Sequence, residues 1–217
     1  MTSACIFDMD GVLIDSGAHH RNAWRALLAE LGVAPVAPEF WRLTIGRPSE
    51  EAVPLLLGRH VSAAEARRLA LRKRDLYGAF AAQGLQAVPG VPGFVDTLAR
   101  ARVPRAVGTS ASRGDVETLL GDLGLRRYFE VIVTADDVRF GKPDPAVYLE
   151  AARRIGEPPA ACVVFEDALV GVQAARRAGM RAIGVTTAHT ADELRAAGAE
   201  STIPDFEGME WSAVARP

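Results

Sequence analysis

The chain has 217 residues, with 25 basic against 27 acidic side chains and a net charge of −2. That length allows one domain, or one domain with an insert, and the charge balance excludes a strong electrostatic footprint for nucleic acid or an anionic membrane. Hydrophobic residues make up 49% and charged residues 24%, which excludes a disordered chain, and no run reaches the roughly 18 uninterrupted apolar residues of a membrane helix.

In chain order, short apolar runs alternate with longer helical patterns. The runs are Ala4–Phe7, 103–108, 131–133, 161–165 and 182–185, each free of charge except for Arg105 in the second. Unbroken aliphatic runs of this length read as strands buried on both faces. Between the later runs, Ser112 is an N-cap with Asp115 three residues on. Pro145 suits a first helical position, and Gly179 a helix stop. The β-α-β-α alternation predicts a Rossmann-like, doubly wound parallel sheet with helices on both faces.

The alternation fails over residues 16–87, where the patterns are helical only. Trp24, Leu27, Leu28 and Leu31 share one apolar face, and Gly32 follows as a stop. Ser62 and Glu65 read as a capping box opening a helix through about Ala82. Residues 1–15 and 88–217 are therefore expected to form the α/β core, with 16–87 an α-helical cap inserted after the first strand. Open α/β sheets bind ligands beyond the carboxyl ends of their strands, so the insert is expected over the site, hinged near 15–18 and 85–89.

The residues at those strand ends carry chemistry. Asp8-Met9-Asp10-Gly11 follows the first strand and Glu166-Asp167 closes another. Four carboxylates gathered at one sheet edge repel one another and need a cation. Mg2+ with oxygen ligands meets that need. Ser110, with the backbone N–H of Ala111, is placed to hold phosphate oxygens. Lys142 sits between Gly141 and Pro143. In a chain with only two lysines, Lys73 and Lys142, against 23 arginines, a retained lysine suggests a place for a compact ammonium. Cys5 and Cys162 lie in separate apolar runs without metal-ligand spacing. Two buried, reduced thiols are expected. The N-terminus has no basic start followed by a long apolar run, so no signal peptide is read and a cytoplasmic location is expected.

In order along nearly the whole chain, these motifs resemble the haloacid-dehalogenase superfamily. Phe7 through Ser16, containing Asp8-Met9-Asp10-Gly11, is similar to its first motif, Ser110 to the second, Lys142-Pro143 to the third and Phe165-Glu166-Asp167 to the fourth. The resemblance implies that Asp8 attacks phosphorus and forms an aspartyl-phosphate, while Asp10 serves as general acid and then base. It implies Mg2+ on Asp8, the backbone carbonyl of Asp10 and Asp167, with Glu166 binding directly or through water. It implies that Ser110 and Lys142 hold the transferring phosphoryl group. An aspartate at position 10 points to phosphate monoesters.

The small helical cap resembles the β-phosphoglucomutase-like subgroup, whose cap residues match His20 and Lys73. The mutase arginine that clamps a second phosphate aligns with Ser49, and Arg47 lies two residues earlier. The expected function is thus an Mg2+-dependent phosphatase acting on a small phosphorylated metabolite, a sugar phosphate, with no nucleic-acid or membrane partner and as a monomer. The alternative is a β-phosphoglucomutase-type mutase. A non-catalytic phosphate-binding module is a third reading, disfavoured by the intact acidic set.

Overall fold

In the computed structural model, which describes residues 2–37 and 39–215, the chain opens with β1 (Ala4–Phe7) and leaves the sheet into three helices, α1 (Gly17–Glu30), α2 (Ser49–Leu57) and α3 (Ala63–Ala81). It returns through α4 (Val91–Arg100), β2 (Arg105–Gly108), α5 (Arg113–Asp122), β3 (Val131–Val133), α6 (Ala146–Ile155) and β4 (Cys162–Glu166). It ends with α7 (Leu169–Arg177), β5 (Arg181–Val185), α8 (Ala191–Ala197), β6 (Ser201–Ile203) and α9 (Trp211–Val214). The strands form one parallel sheet in the order β3-β2-β1-β4-β5-β6. This is the Rossmann-like arrangement expected from the sequence, with one more strand. Ser-Thr-Ile of β6 is half-buried at the sheet edge and lacks the aliphatic run that marks the others.

Side chains alternate across a strand, and here both faces are covered. Cys5 and Phe7 of β1, with Val163 and Phe165 of β4, join the helix α4 and α5 side. Ala4 and Ile6, with Cys162 and Val164, join the α6, α7 and α8 side. That double burial explains why the central strands carry no charge before their last residue. Phe7 stacks on Phe165 with ring centroids 5.0 Å apart, and Phe94 and Phe206 close around them. Cys5 and Cys162 are buried, free, and on opposite faces of the sheet.

The helical segment has an apolar cluster of its own, built from Trp24, Leu27, Leu28, Phe40, Val53, Leu56 and Leu69. Leu31, expected on the buried face of α1, is 37% exposed, because the helix ends at Glu30 and turns at Gly32. Ser62 caps α3 by accepting from the Glu65 backbone N–H at 3.2 Å. The Glu65 carboxylate pairs with Arg59 instead of returning to the cap, so half of the expected box forms. Pro145 precedes α6 as its N-cap rather than opening it. The two connections lie side by side. Asp15 N–H donates to Gln86 C=O at 2.9 Å and Val88 N–H to Leu13 C=O at 3.2 Å.

Candidate active site

The strand registers set the site. Phe7 pairs with Val107 on one side and Phe165 on the other. Asp8, Thr109 and Glu166-Asp167 therefore emerge together at the carboxyl edge. Gly11 turns the chain back with φ +75°, and a Cβ there would collide with the Asp167 carboxylate. The first loop thus packs directly on the acidic pair of β4.

Asp8, Glu166 and Asp167 are buried, and each offers a carboxylate oxygen, all lying within 4.8 Å of one another. Lys142, 1% exposed, donates to Asp8 Oδ1 at 2.7 Å and to Glu166 Oε2 at 2.8 Å. Its ammonium also sits 4.8 Å from the centre of the Tyr148 ring. The Lys142-Pro143 peptide is cis. Burial pushes the Asp8 carboxyl up to about 7, with Lys142 pulling it down and Glu166 and Asp10 adding to the rise. Burial and the neighbouring carboxylates Glu166, Asp8 and Asp10 push Asp167 well above the carboxylate range. Lys142 is raised: burial works against its charge, and Asp8 and Glu166 outweigh it. Three carboxylates and one ammonium leave negative charge in a buried cluster of oxygen ligands. This donor set fits a hard divalent cation.

Glu166 is placed differently from its neighbours. Its Oε2 accepts from Lys142 and, at 2.5 Å, from the Tyr148 hydroxyl, and its Oε1 accepts from the Asp167 and Ala168 backbone N–H groups. Gly171 leaves room for it, since a Cβ at 171 would lie 1.9 Å from Oε2.

Asp10 faces the helical segment. Ser16 Oγ donates to its Oδ1 at 2.6 Å and His20 Nε2 lies 2.9 Å from the same oxygen. Lys73 Nζ lies 2.6 Å from His20 Nδ1. An ammonium can only donate, so Nδ1 accepts and Nε2–H donates to Asp10. Burial alone would raise Asp10, but His20, Ser16 and Lys73 outweigh it and hold the carboxyl at about 2. Burial lowers Lys73 to about 8, against the pull of Asp10 and Asp115. Burial and Lys73 lower His20, with Asp10 opposing. Tyr77 stacks on His20 with centroids 4.3 Å apart.

One cavity of about 590 Å³ is lined by Asp8, Asp10, Ser110, Ala111, Lys142 and Asp167 from the sheet edge, and by His20, Arg47 and Lys73 from the helical segment. The structure thus brings the candidate catalytic, phosphate-binding, metal-binding and cap residues read from the sequence to one cavity, with Glu166 buried behind the lining. Ser110 Oγ donates to Gly46 C=O at 3.1 Å, so the hydroxyl expected to hold phosphate touches the helical segment. Sequence reasoning missed Ser16, Tyr148, Gly171 and Thr187. Thr187 Oγ1 donates to Gly11 C=O at 2.6 Å and lies 3.3 Å from Asp167 Oδ2. Ser16 closed the first motif and was visible. The other three lie in helices or loops where only the fold gives them meaning.

The fold and this site define a class of Rossmann-like α/β enzymes with an acidic pair just beyond the first strand and a buried lysine bonded to its first member. The family described as haloacid dehalogenase-like hydrolase matches residues 2–179, and the chain belongs to it. It is 37% identical over 182 residues to the fructose-1-phosphate phosphatase YqaB of Escherichia coli K12, covering 83% of this chain and 94% of that protein. It is 35% identical over 214 residues to the validoxylamine A 7'-phosphate phosphatase of Streptomyces hygroscopicus subsp. limoneus, covering 97% of each. The β-phosphoglucomutase of Clostridium difficile shares the fold, with a TM-score of 0.87 and 23% identity over 99% of this chain and 96% of that one. The chain is a phosphoric monoester hydrolase of the haloacid-dehalogenase superfamily. Among the described residues, no helix is long and apolar enough to cross a membrane.

Proposed function

We propose that the protein is an Mg2+-dependent phosphatase that hydrolyses a small phosphorylated sugar through an aspartyl-phosphate on Asp8. The observation that carries this reading is the buried ammonium of Lys142, 2.7 Å from Asp8 Oδ1, with Asp10 lining the same cavity. Lys142 neutralises Asp8 and so lets two anions, the carboxylate and the phosphate, approach each other. Asp8, the Asp10 carbonyl and Asp167 would hold Mg2+, which would add to the neutralisation of the transferring phosphoryl group. Ser110 Oγ and the Ala111 N–H hold phosphoryl oxygens once Ser110 turns from Gly46.

Asp8 attacks phosphorus, and the ester oxygen leaves with a proton from Asp10. The incoming phosphate adds negative charge and raises the proton affinity of Asp10 for that step. In the second half Asp10 takes a proton from water as the water attacks phosphorus and frees Asp8. Ser16 and His20 fix the Asp10 oxygen they share, and Lys73 fixes the tautomer of His20. Glu166 acts behind the site. A carboxylate offers about four lone pairs, and four donors of this chain occupy them. It therefore positions Lys142 and the turn carrying Asp167, without direct metal contact.

Residues 16–87 act as a cap that closes over the substrate, hinged where the paired linkers meet. Arg42 Nη2, 2.7 Å from both oxygens of Glu193 on α8, is one closing contact. Mutase chemistry has less support, because Ser49 stands at the clamp position and Glu50 and Glu51 line the wall beside Arg47. Carboxylates there work against holding a second phosphate. The test is phosphate release across a panel of phosphorylated metabolites. Release with Mg2+, abolished by EDTA, is expected. No release from any ester overturns the reading.

A further inference from the structure

Two buried hydroxyls near Asp10 have unspent hydrogen-bonding capacity, and they come from different helices. Lys73 and Tyr77 stand four residues apart on α3 and so share one of its faces. Ser16, the N-cap of α1, and His20 stand four apart at the start of that helix. The two pairs meet. Tyr77 stacks on His20 with ring centroids 4.3 Å apart, and the Lys73 ammonium lies 5.1 Å from the centre of the Tyr77 ring and 2.6 Å from His20 Nδ1. The Tyr77 ring thus braces both side chains that stand behind Asp10.

Its hydroxyl is spare. Tyr77 is 7% exposed and lines the main cavity, and its Oη has no hydrogen-bond partner among the described residues. Burial, with Asp10 and Asp115 adding to it, holds the phenol well above its usual range, so the group stays an O–H donor. Ser16 lies beside that hydroxyl, outside hydrogen-bond geometry. Ser16 is fully buried and gives its own proton to Asp10 Oδ1 at 2.6 Å. A serine at a helix N-cap ordinarily accepts a backbone N–H of the first turn, but the Ser16 side chain accepts none. Its oxygen keeps open acceptor capacity next to a donor without a partner. A buried donor left unpaired is unfavourable, and a short approach of α3 toward the start of α1 satisfies both groups at once.

We propose that Tyr77 is a positioning residue for the general acid, completing a hydrogen-bonded chain from Tyr77 through Ser16 to Asp10 when the helical segment closes on the ester. Each bond in such a chain strengthens the next. Asp10 Oδ1 is then held by Ser16 and His20, which leaves Oδ2 to meet the ester oxygen. The inference rests on the phosphatase reading above and adds how closure readies the proton donor.

The test uses Tyr77→Phe, which keeps the ring and its stacking and removes only the hydroxyl. An alkoxide leaving group needs a proton from Asp10, whereas p-nitrophenolate leaves without one. The quantity compared is kcat/KM, which covers the steps up to departure of the leaving group. With Mg2+, Tyr77→Phe is expected to lose about tenfold on glucose 6-phosphate, the rate equivalent of one hydrogen bond, and less than about twofold on p-nitrophenyl phosphate. In a Ser16→Ala background the same change is expected to cost nothing further on glucose 6-phosphate, because the chain is already cut. Equal losses on the two esters mark a hydroxyl with a merely structural role and overturn the inference. An unchanged rate on both esters also overturns it, as does a loss on glucose 6-phosphate that persists undiminished in Ser16→Ala. Each of these results leaves the phosphatase reading standing. No hydrolysis of either ester by the unmodified chain overturns that reading, and this inference with it.

Discussion

Replacing Lys142 with methionine isolates the role of the buried ammonium. The side chain is 1% exposed and bonds Asp8 at 2.7 Å and Glu166 at 2.8 Å. Methionine fills much of the same volume, so the dominant change is the loss of charge. Removing one partner of a buried ion pair costs about 3–5 kcal/mol, because the other is left uncompensated. Asp8 is already pushed up to about 7, so it takes up a proton in the variant, which holds the loss to the lower end, about 3 kcal/mol. The same proton silences the nucleophile. Losing a preorganised donor to a developing phosphoryl charge lowers kcat by about 10²–10³. The assay pairs urea unfolding in EDTA, where no added cation substitutes for the ammonium, with initial rates on glucose 6-phosphate in Mg2+. Lys142→Arg keeps the charge but brings a broad planar fork to a buried place where a compact ammonium bonds two carboxylates. It is expected to recover part of the stability and little of the rate. A Lys142→Met protein within about 1 kcal/mol of the unmodified stability, or with kcat within about threefold, refutes the reasoning.

Gly171→Ala places a Cβ on the Glu166 carboxylate. Overpacking of this kind costs about 1–3 kcal/mol, and displacement of Glu166 is expected to lower kcat more than tenfold; thermal melts and initial rates measure the two, and unchanged values contradict the role given to Glu166. Asp137 accepts from Thr134 N–H and Oγ1 and pairs with Arg113 and Arg154. Burial would raise its carboxyl, but those partners hold it well below the usual range. A depressed carboxyl stabilises the fold above its unfolded value of about 3.9, and that contribution fades as pH falls toward the folded value. Asp137→Asn is therefore expected to be about 1–2 kcal/mol less stable at pH 7, with the gap narrowing at pH 3. Unfolding midpoints at the two pH values measure it, and a constant gap contradicts the assignment.

The sheet was legible because double burial demands uninterrupted aliphatic runs, and β1 through β5 carry them. β6 escaped because an edge strand that is half-buried needs no such run. The acidic pairs were legible because each stands at the carboxyl end of a strand, so the parallel register alone gathers them. Lys142 was legible through its rarity. The division of labour among the acids was not. Glu166 and Asp167 are neighbours in sequence, yet one is closed off by four donors and the other lies on the cavity. That difference depends on Tyr148, Gly171 and Thr187, which come from other elements. The pairing of Ser16 and His20 on one oxygen of Asp10 likewise needs α1 to start at once after the first loop.

The account turns on Asp8 as the nucleophile. Its most direct test is the rate of phosphate release by Asp8→Asn, which keeps shape and hydrogen bonding but removes the charge. Measured beside the unmodified enzyme with Mg2+ and saturating glucose 6-phosphate, a loss of about 10³-fold or more is predicted, equivalent to at least about 4 kcal/mol of barrier. Release within about tenfold of the unmodified rate contradicts an aspartyl-phosphate on Asp8.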